Sequence, residues 1–181
     1  MIAEHQVTQG SEAWLQARIG RFTGSNAYKL LGSFGASEYA KAIEQSFKGN
    51  FYTKRGATLE PQAIELYERI TKTKVSTCGF VTNSKYPTAL YSPDALTDTL
   101  VIEVKCFNEQ GHSDIAKGDI PLKVLAQIYF GMLITERKAA HLVIYNPDLD
   151  AKDAFKIIPI KYNPAIQANF RRILNTASVS V

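Results

Sequence analysis

The chain has 181 residues, 45% of them hydrophobic and 21% charged, with a net charge of +4 and a pI near 9.0. Such numbers fit one soluble globular domain over residues 1–181, and the mild basicity suits a polyanionic partner without requiring one. No apolar run reaches the ~18 residues that span a membrane, no basic-then-apolar leader opens the chain, and two cysteines without short spacing fit free thiols in a reducing cytoplasm better than zinc or a disulfide.

In chain order, Ser11 is suited to cap a short helix carrying Trp14, Leu15 and Arg18, with Gly20 just past its end. Thr23 can cap a second helix through Leu31, and "GSFGAS", residues 32–37, reads as a loop before a helix from about Ser37 to Phe47. Residues 53–73 repeat apolar positions at helical spacing: Ala63, Ile64, Tyr67 and Ile70. Pro61 sits early in that segment, so the helix either begins at Glu60 with Pro61 in its first turn or is an earlier helix kinked there.

Three strand-like runs follow, over about Ser76–Thr82, Thr88–Tyr91 and Leu100–Phe107, with turns between them. Asn108–Ile120 reads as a polar loop. Residues 121–135, "PLKVLAQIYFGMLIT", are apolar nearly all round and predict a buried helix opened by Pro121. Strands over Ala140–Tyr145 and Ala154–Ile160 precede a last helix from Pro164 to about Asn175. The order predicts an α/β (α+β) fold, with a single mixed sheet of about five strands flanked by helices.

The strand "LVIEVKCF" carries a charge pattern that an ordinary core strand lacks. Side chains alternate between faces, so Val101, Glu103, Lys105 and Phe107 share one face. Asp94 stands in "SPD" on the preceding run, and hairpin pairing can bring it beside Glu103. Two carboxylates in one small site repel, and a divalent cation relieves the repulsion. Hard oxygen ligands select magnesium, manganese or calcium over zinc. Lys105 projects on the same side, where it can orient or deprotonate a water, or stabilise developing negative charge. A bare E-x-K on a strand is most often a surface salt bridge; the preceding S-P-D and the intervening turn favour the metal site.

Four motifs in order, from Trp14 to Thr135, resemble one family. "SPD" followed by "EVK" looks like the PD-(D/E)XK nuclease core. "WLQARIGRFTGS", "RGATLEPQAIELYE" and "AQIYFGMLIT" resemble motifs of the lambda exonuclease and YqaJ-like viral recombinase group. The resemblance implies a restriction-endonuclease-like core and a magnesium-dependent deoxyribonuclease, with manganese as a substitute and two ions. The favoured activity is 5′-to-3′ digestion of double-stranded DNA ends in phage recombination. By resemblance, Asp94, Glu103, the Val104 carbonyl and Glu60 bind metal, Lys105 positions the attacking water, and Gln127 lies beside the lysine. Arg18, Ser25 and Ser92 match positions that hold a 5′ phosphate.

Each of these residues also has a plainer reading. Arg18 can be a solvated helix-end charge, Ser25 a helix-lining hydroxyl, Glu60 an N-cap, and Gln127 an internal hydrogen-bonding group. Trp14 reads as core packing, His112 as a surface residue that could also touch substrate, and Lys54 and Arg55 as either a DNA contact or a solvated pair. The resemblance further implies a single-strand annealing protein as partner, a bacterial cytoplasm as location, and a homo-oligomer, the lambda type being a trimer, though this chain is short for that group. A structure-specific or site-specific endonuclease shares the core chemistry, and a non-catalytic DNA-binding protein could retain the fold.

Overall fold

A computed structural model describes residues 1–31 and 51–177; the loop expected over 32–37 and the helix expected from Ser37 to Phe47 lie outside the described residues. Strand β1 (Ile2–His5) leads to helix α1 (Glu12–Arg18), whose N-cap is the expected Ser11, its hydroxyl accepting from the Trp14 N–H. Strand β2 (Phe22–Thr23) runs directly into a helix over Gly24–Leu31. That helix has the expected bounds but is 3-10 in type, and Thr23 lies in the strand rather than serving as a plain cap.

Helix α2 runs from Phe51 to Thr71 with Pro61 inside it, so the helix does not begin at Glu60. Proline lacks the N–H that would bond back one turn, which leaves the Ala57 carbonyl without its helical donor. Strands β3 (Phe80–Asn83), β4 (Ala89–Tyr91), β5 (Ala95–Leu96) and β6 (Leu100–Lys105) follow. Next come helices α3 (Glu109–Ala116) and α4 (Leu122–Thr135), strands β7 (Ala139–Tyr145) and β8 (Phe155–Lys161), and helix α5 (Pro164–Ala177).

The expected polar loop after β6 is therefore in large part a helix. Asn108 caps α3, its side-chain carbonyl accepting from the Gly111 N–H at 3.0 Å, and His112 and Ile115 are buried. A single apolar anchor and an internal glycine hide so short a helix from periodicity.

The mixed α/β class holds, but the strands divide into two four-stranded sheets, ordered β1-β3-β4-β2 and β5-β6-β7-β8, instead of one sheet of about five. The break falls at Ser92-Pro93-Asp94, between β4 and β5. Pro93 cannot donate to a ladder, so pairing stops and the chain turns there. The second sheet is itself mixed: β6 pairs antiparallel with β5 and parallel with β7, and α3 and α4 form the crossover that parallel pairing demands.

The faces of β6 separate as alternation requires. Ile102 and Val104 join Leu59, Ala63 and Tyr67 of α2 in one core. Val101 joins Ala126, Ile128 and Phe130 of α4 in the other. Helix α4 is buried on most sides, as its composition foretold, with Pro121 one residue ahead of the first helical position. Among the described residues, no helix is long and apolar enough to cross a membrane, and Cys78 and Cys106 are free thiols.

Candidate active site

Register brings the carboxylates together. Ala95 pairs with Ile102 and Leu96 with Val101, so one further step sets Asp94 opposite Glu103. The Val104 N–H donates to Asp94 Oδ2 at 2.6 Å, so the side chain takes the bond that the interrupted ladder would have made. Glu103 is 0% exposed, and both of its oxygens are engaged. Lys105 Nζ donates to Oε1 at 2.5 Å and the Tyr91 hydroxyl donates to Oε2 at 2.8 Å. Glu60, Asp94, Glu103, Val104, Lys105 and Gln127 all line one cleft of about 760 Å³. Glu60 sits in mid-helix, not at a cap.

A second group gathers on the same S-P-D segment. Arg18 donates to Ser25 Oγ at 2.9 Å and, more distantly, to Ser92 Oγ and Thr23 Oγ1, both at 3.4 Å. Its guanidinium lies over the Trp14 ring, 4.1 Å from the centroid. Trp14 Nε1 donates to Ser92 Oγ at 2.9 Å and to the Gly79 carbonyl at 3.1 Å. Among the described residues Arg18 forms no salt bridge. Burial alone pulls its pKa down to about 10, which still leaves it cationic at neutral pH. A largely desolvated cation ringed by hydroxyls and lacking a counter-ion is suited to an anion.

The nine residues singled out in the sequence thus fall into two groups joined by residues 92–94, six lining the cleft by side chain or backbone and Ser92 joining Arg18 and Ser25. Three contributors were missed. Trp14, read as core packing, lines the cleft and supports Arg18. Thr23 shares the Ser25 hydroxyl at 3.0 Å. Tyr91 looked like an ordinary strand aromatic; a hydroxyl two residues before an S-P-D proline was the available signal. Two other readings change. His112 is buried, its Nε2 2.7 Å from the Asp153 carbonyl. Arg55 is spent inside the protein on the carbonyls of Cys106 and Phe107, on Asn146 and on Asp148, clamping α2 to the end of β6.

The acids perturb one another. Burial first, then the charges of Glu103 and Glu60, hold Asp94 well above the usual carboxylate range. Burial and then Glu103 raise Glu60. Burial pulls Lys105 down, but Glu103, Asp94 and Glu60 outweigh it and the ammonium form is favoured. Burial pushes the neighbouring Cys106 thiol up to about 11, which removes thiolate reactivity near pH 7.

Among the described residues, no three His, Cys, Asp or Glu side chains stand together in a ready-made metal cluster. The donor chemistry nonetheless fits a hard divalent cation: the side chains are carboxylates, and their mutual repulsion is the strain that a cation relieves. A pH dependence follows for the metal-free protein. Raised carboxyl pKa values mean that the folded state holds protons more tightly than the unfolded chain. The stability these groups contribute is complete below about pH 4, the ordinary carboxylate range, and is lost as pH rises through their raised values. The melting temperature of wild type should therefore fall relative to that of Asp94→Asn as pH climbs from about 4 towards neutrality. A gap that stays constant across that range counts against the shared electrostatics.

Comparison with known proteins bears on this arrangement. Residues 13–138 match the YqaJ-like viral recombinase domain. The structure resembles an alkaline exonuclease, LHK-Exo from Laribacter hongkongensis, with a TM-score of 0.81 and 25% identity, covering 94% of this chain and 91% of that one. It matches LHK-Exo in complex with dAMP equally well, at 0.81 and 24% identity over 93% and 91% of the two chains. A phage related exonuclease from Haemophilus somnus 129PT shares the fold at a TM-score of 0.62 and 12% identity, over 88% of this chain and 95% of that one. No curated protein gives a significant match. The family model covers well over half of the chain, including the 3-10 helix, α2 and the whole β6 site, and its bounds nearly coincide with the four motifs read from Trp14 to Thr135; the chain belongs to the YqaJ-like viral recombinase family.

Proposed function

We propose that this chain is a divalent-metal-dependent deoxyribonuclease that digests double-stranded DNA from a 5′ end, a phage-type exonuclease serving recombination, with the whole chain as one nuclease domain. One observation carries the reading. The acid-and-lysine site and the Arg18 pocket, where the cation has no acidic partner among the described residues, adjoin across three consecutive residues, with Ser92 in one and Asp94 in the other. A terminal phosphate held at Arg18 would leave its neighbouring phosphodiester beside the carboxylates. The likeness to an alkaline exonuclease across nearly the full length of both chains supports the same reading.

Asp94 and Glu103, with the Val104 carbonyl and Glu60, would hold magnesium, or manganese in its place. Two such ions would supply Lewis-acid stabilisation of the attacking and leaving oxygens in an in-line displacement. The chain's own groups do the rest. Lys105, kept as an ammonium by the surrounding acids, donates a hydrogen bond that holds the attacking water in line and stabilises negative charge as it develops. Gln127 faces the same cleft and orients groups around the lysine. Arg18 forks onto the 5′ phosphate while Ser25 and Ser92 donate their hydroxyl protons to it. The product strand is then the substrate of a single-strand annealing partner, and a homo-oligomer, a trimer on the lambda pattern, would keep the enzyme on its duplex.

The test is a panel of substrates with and without Mg²⁺: linear duplex with a 5′ phosphate, linear duplex with a 5′ hydroxyl, and covalently closed circles. Linear DNA should be degraded, faster with the phosphate, while circles stay intact and EDTA stops the reaction. Nicked or linearised circles would establish an endonuclease instead. Binding without cleavage of any substrate would leave only a DNA-binding protein.

A further inference from the structure

The geometry points to Tyr91 as the positioning residue for Glu103, an inference that rests on the metal-dependent nuclease reading. Tyr91 is 0% exposed, and its hydroxyl donates to Oε2 of an equally buried carboxylate. Among the described residues, Glu103 has one other side-chain donor, Lys105, on the opposite oxygen. Oxygens held from two sides fix the carboxylate plane, which a free glutamate side chain does not do for itself. Each oxygen retains lone-pair capacity for a cation, so the two bonds orient the group without consuming it.

The ring is placed as firmly as its hydroxyl. It is wedged between two glycines on different elements. A Cβ at Gly131 of α4 would stand 2.5 Å from Tyr91 Cζ, and one at Gly24 of the 3-10 helix would stand 2.9 Å from Cδ2. Only residues without side chains let the helices approach the ring so closely. Gly24 adjoins Ser25 of the anion pocket, and Gly131 lies one turn beyond Gln127 of the cleft. The Tyr91 ring therefore touches the elements that carry both halves of the site while its hydroxyl sets Glu103. Hydrogen bonds to metal ligands from such outer groups are worth about 10- to 100-fold in metal affinity or activity.

The discriminating variant is Tyr91→Phe, which keeps the ring and deletes the bond. In the DNA-free protein, Mn²⁺ binding measured by titration calorimetry should weaken about 10- to 100-fold. The metal midpoint of cleavage should rise by a similar factor, while KM for 5′-phosphorylated linear duplex stays within about twofold of wild type. Gly131→Ala, which pushes the ring and retains the hydroxyl, should shift the Mn²⁺ affinity in the same direction. A merely structural role would lower the binding stoichiometry and leave the midpoints unmoved, and that outcome overturns the inference. So does Mn²⁺ binding by Tyr91→Phe that is unchanged or tighter. A wild-type protein that neither binds Mn²⁺ nor cleaves DNA overturns the nuclease reading and this inference with it; a wild-type protein that does both, beside an unchanged variant, overturns the inference alone.

Discussion

Lys105→Ala and Asp94→Ala should each lower the DNA cleavage rate by about 10²- to 10³-fold or more, with binding of the duplex end largely retained. Lys105 is the cation nearest the buried Glu103, and its loss removes the donor that would meet negative charge developing on the phosphate. Asp94 is the carboxylate opposite Glu103, so its loss removes half of the paired acids that would hold a cation. The stability effects should differ in sign. Lys105→Ala leaves a cluster of acids without its cation, and breaking a buried pair from one side costs about 3 kcal/mol. Asp94→Ala relieves repulsion and should leave the metal-free protein at least as stable near neutral pH. Equal loss of cleavage with opposite changes in melting temperature separates chemistry from folding. Single-turnover cleavage of end-labelled duplex, read beside thermal melts, checks both parts. Near-normal cleavage by either variant would mean that the site is misassigned.

Arg18→Ala should erase most of the preference for a 5′-phosphorylated end, reducing the ratio of kcat/KM between phosphate and hydroxyl ends by about 10- to 100-fold, the value of one or two hydrogen bonds to a charged group. The guanidinium is already positioned by the Trp14 ring beneath it and by Ser25, so little ordering remains to be done on binding. Arg18→Lys should recover only part of the preference, because an ammonium keeps the charge but loses the planar fork. Cleavage of hydroxyl ends should change little in either variant. A preference that survives Arg18→Ala would place the terminal phosphate elsewhere in the cleft.

Much of the site could be read from local spacing. Glu103 and Lys105 lie two apart on a strand, and that alone commits them to one face. Asp94 precedes a two-residue strand and a tight turn, which returns it to Glu103 in register. The helices of Glu12–Arg18 and Leu122–Thr135 follow from a cap, a proline and a run of apolar residues. The short strands β1, β2 and β5 were not legible, because two to four residues carry too little periodicity to stand out. Helix α3 was hidden for the same reason.

What the sequence by itself determined is the set of chemical groups and the faces they occupy: the acids and lysine of the meander, Arg18 and Ser25 at the first helices, and the motif order that marks the family. Alternation and helical spacing are local properties, so the chain declares them without a fold. Only the tertiary structure decided which of these groups meet. It split the strands into two sheets at Pro93 and turned Arg55 inward as a clamp. It also carried the Trp14 ring, which lies one helical turn before Arg18, against the Gly79 carbonyl and Ser92, both distant in the chain. It made Tyr91 the donor to Glu103 by closing two glycines on its ring. Those contacts depend on long-range packing, where a missing Cβ on one helix matters to a hydroxyl on a distant strand, and no local pattern in the chain encodes that distance.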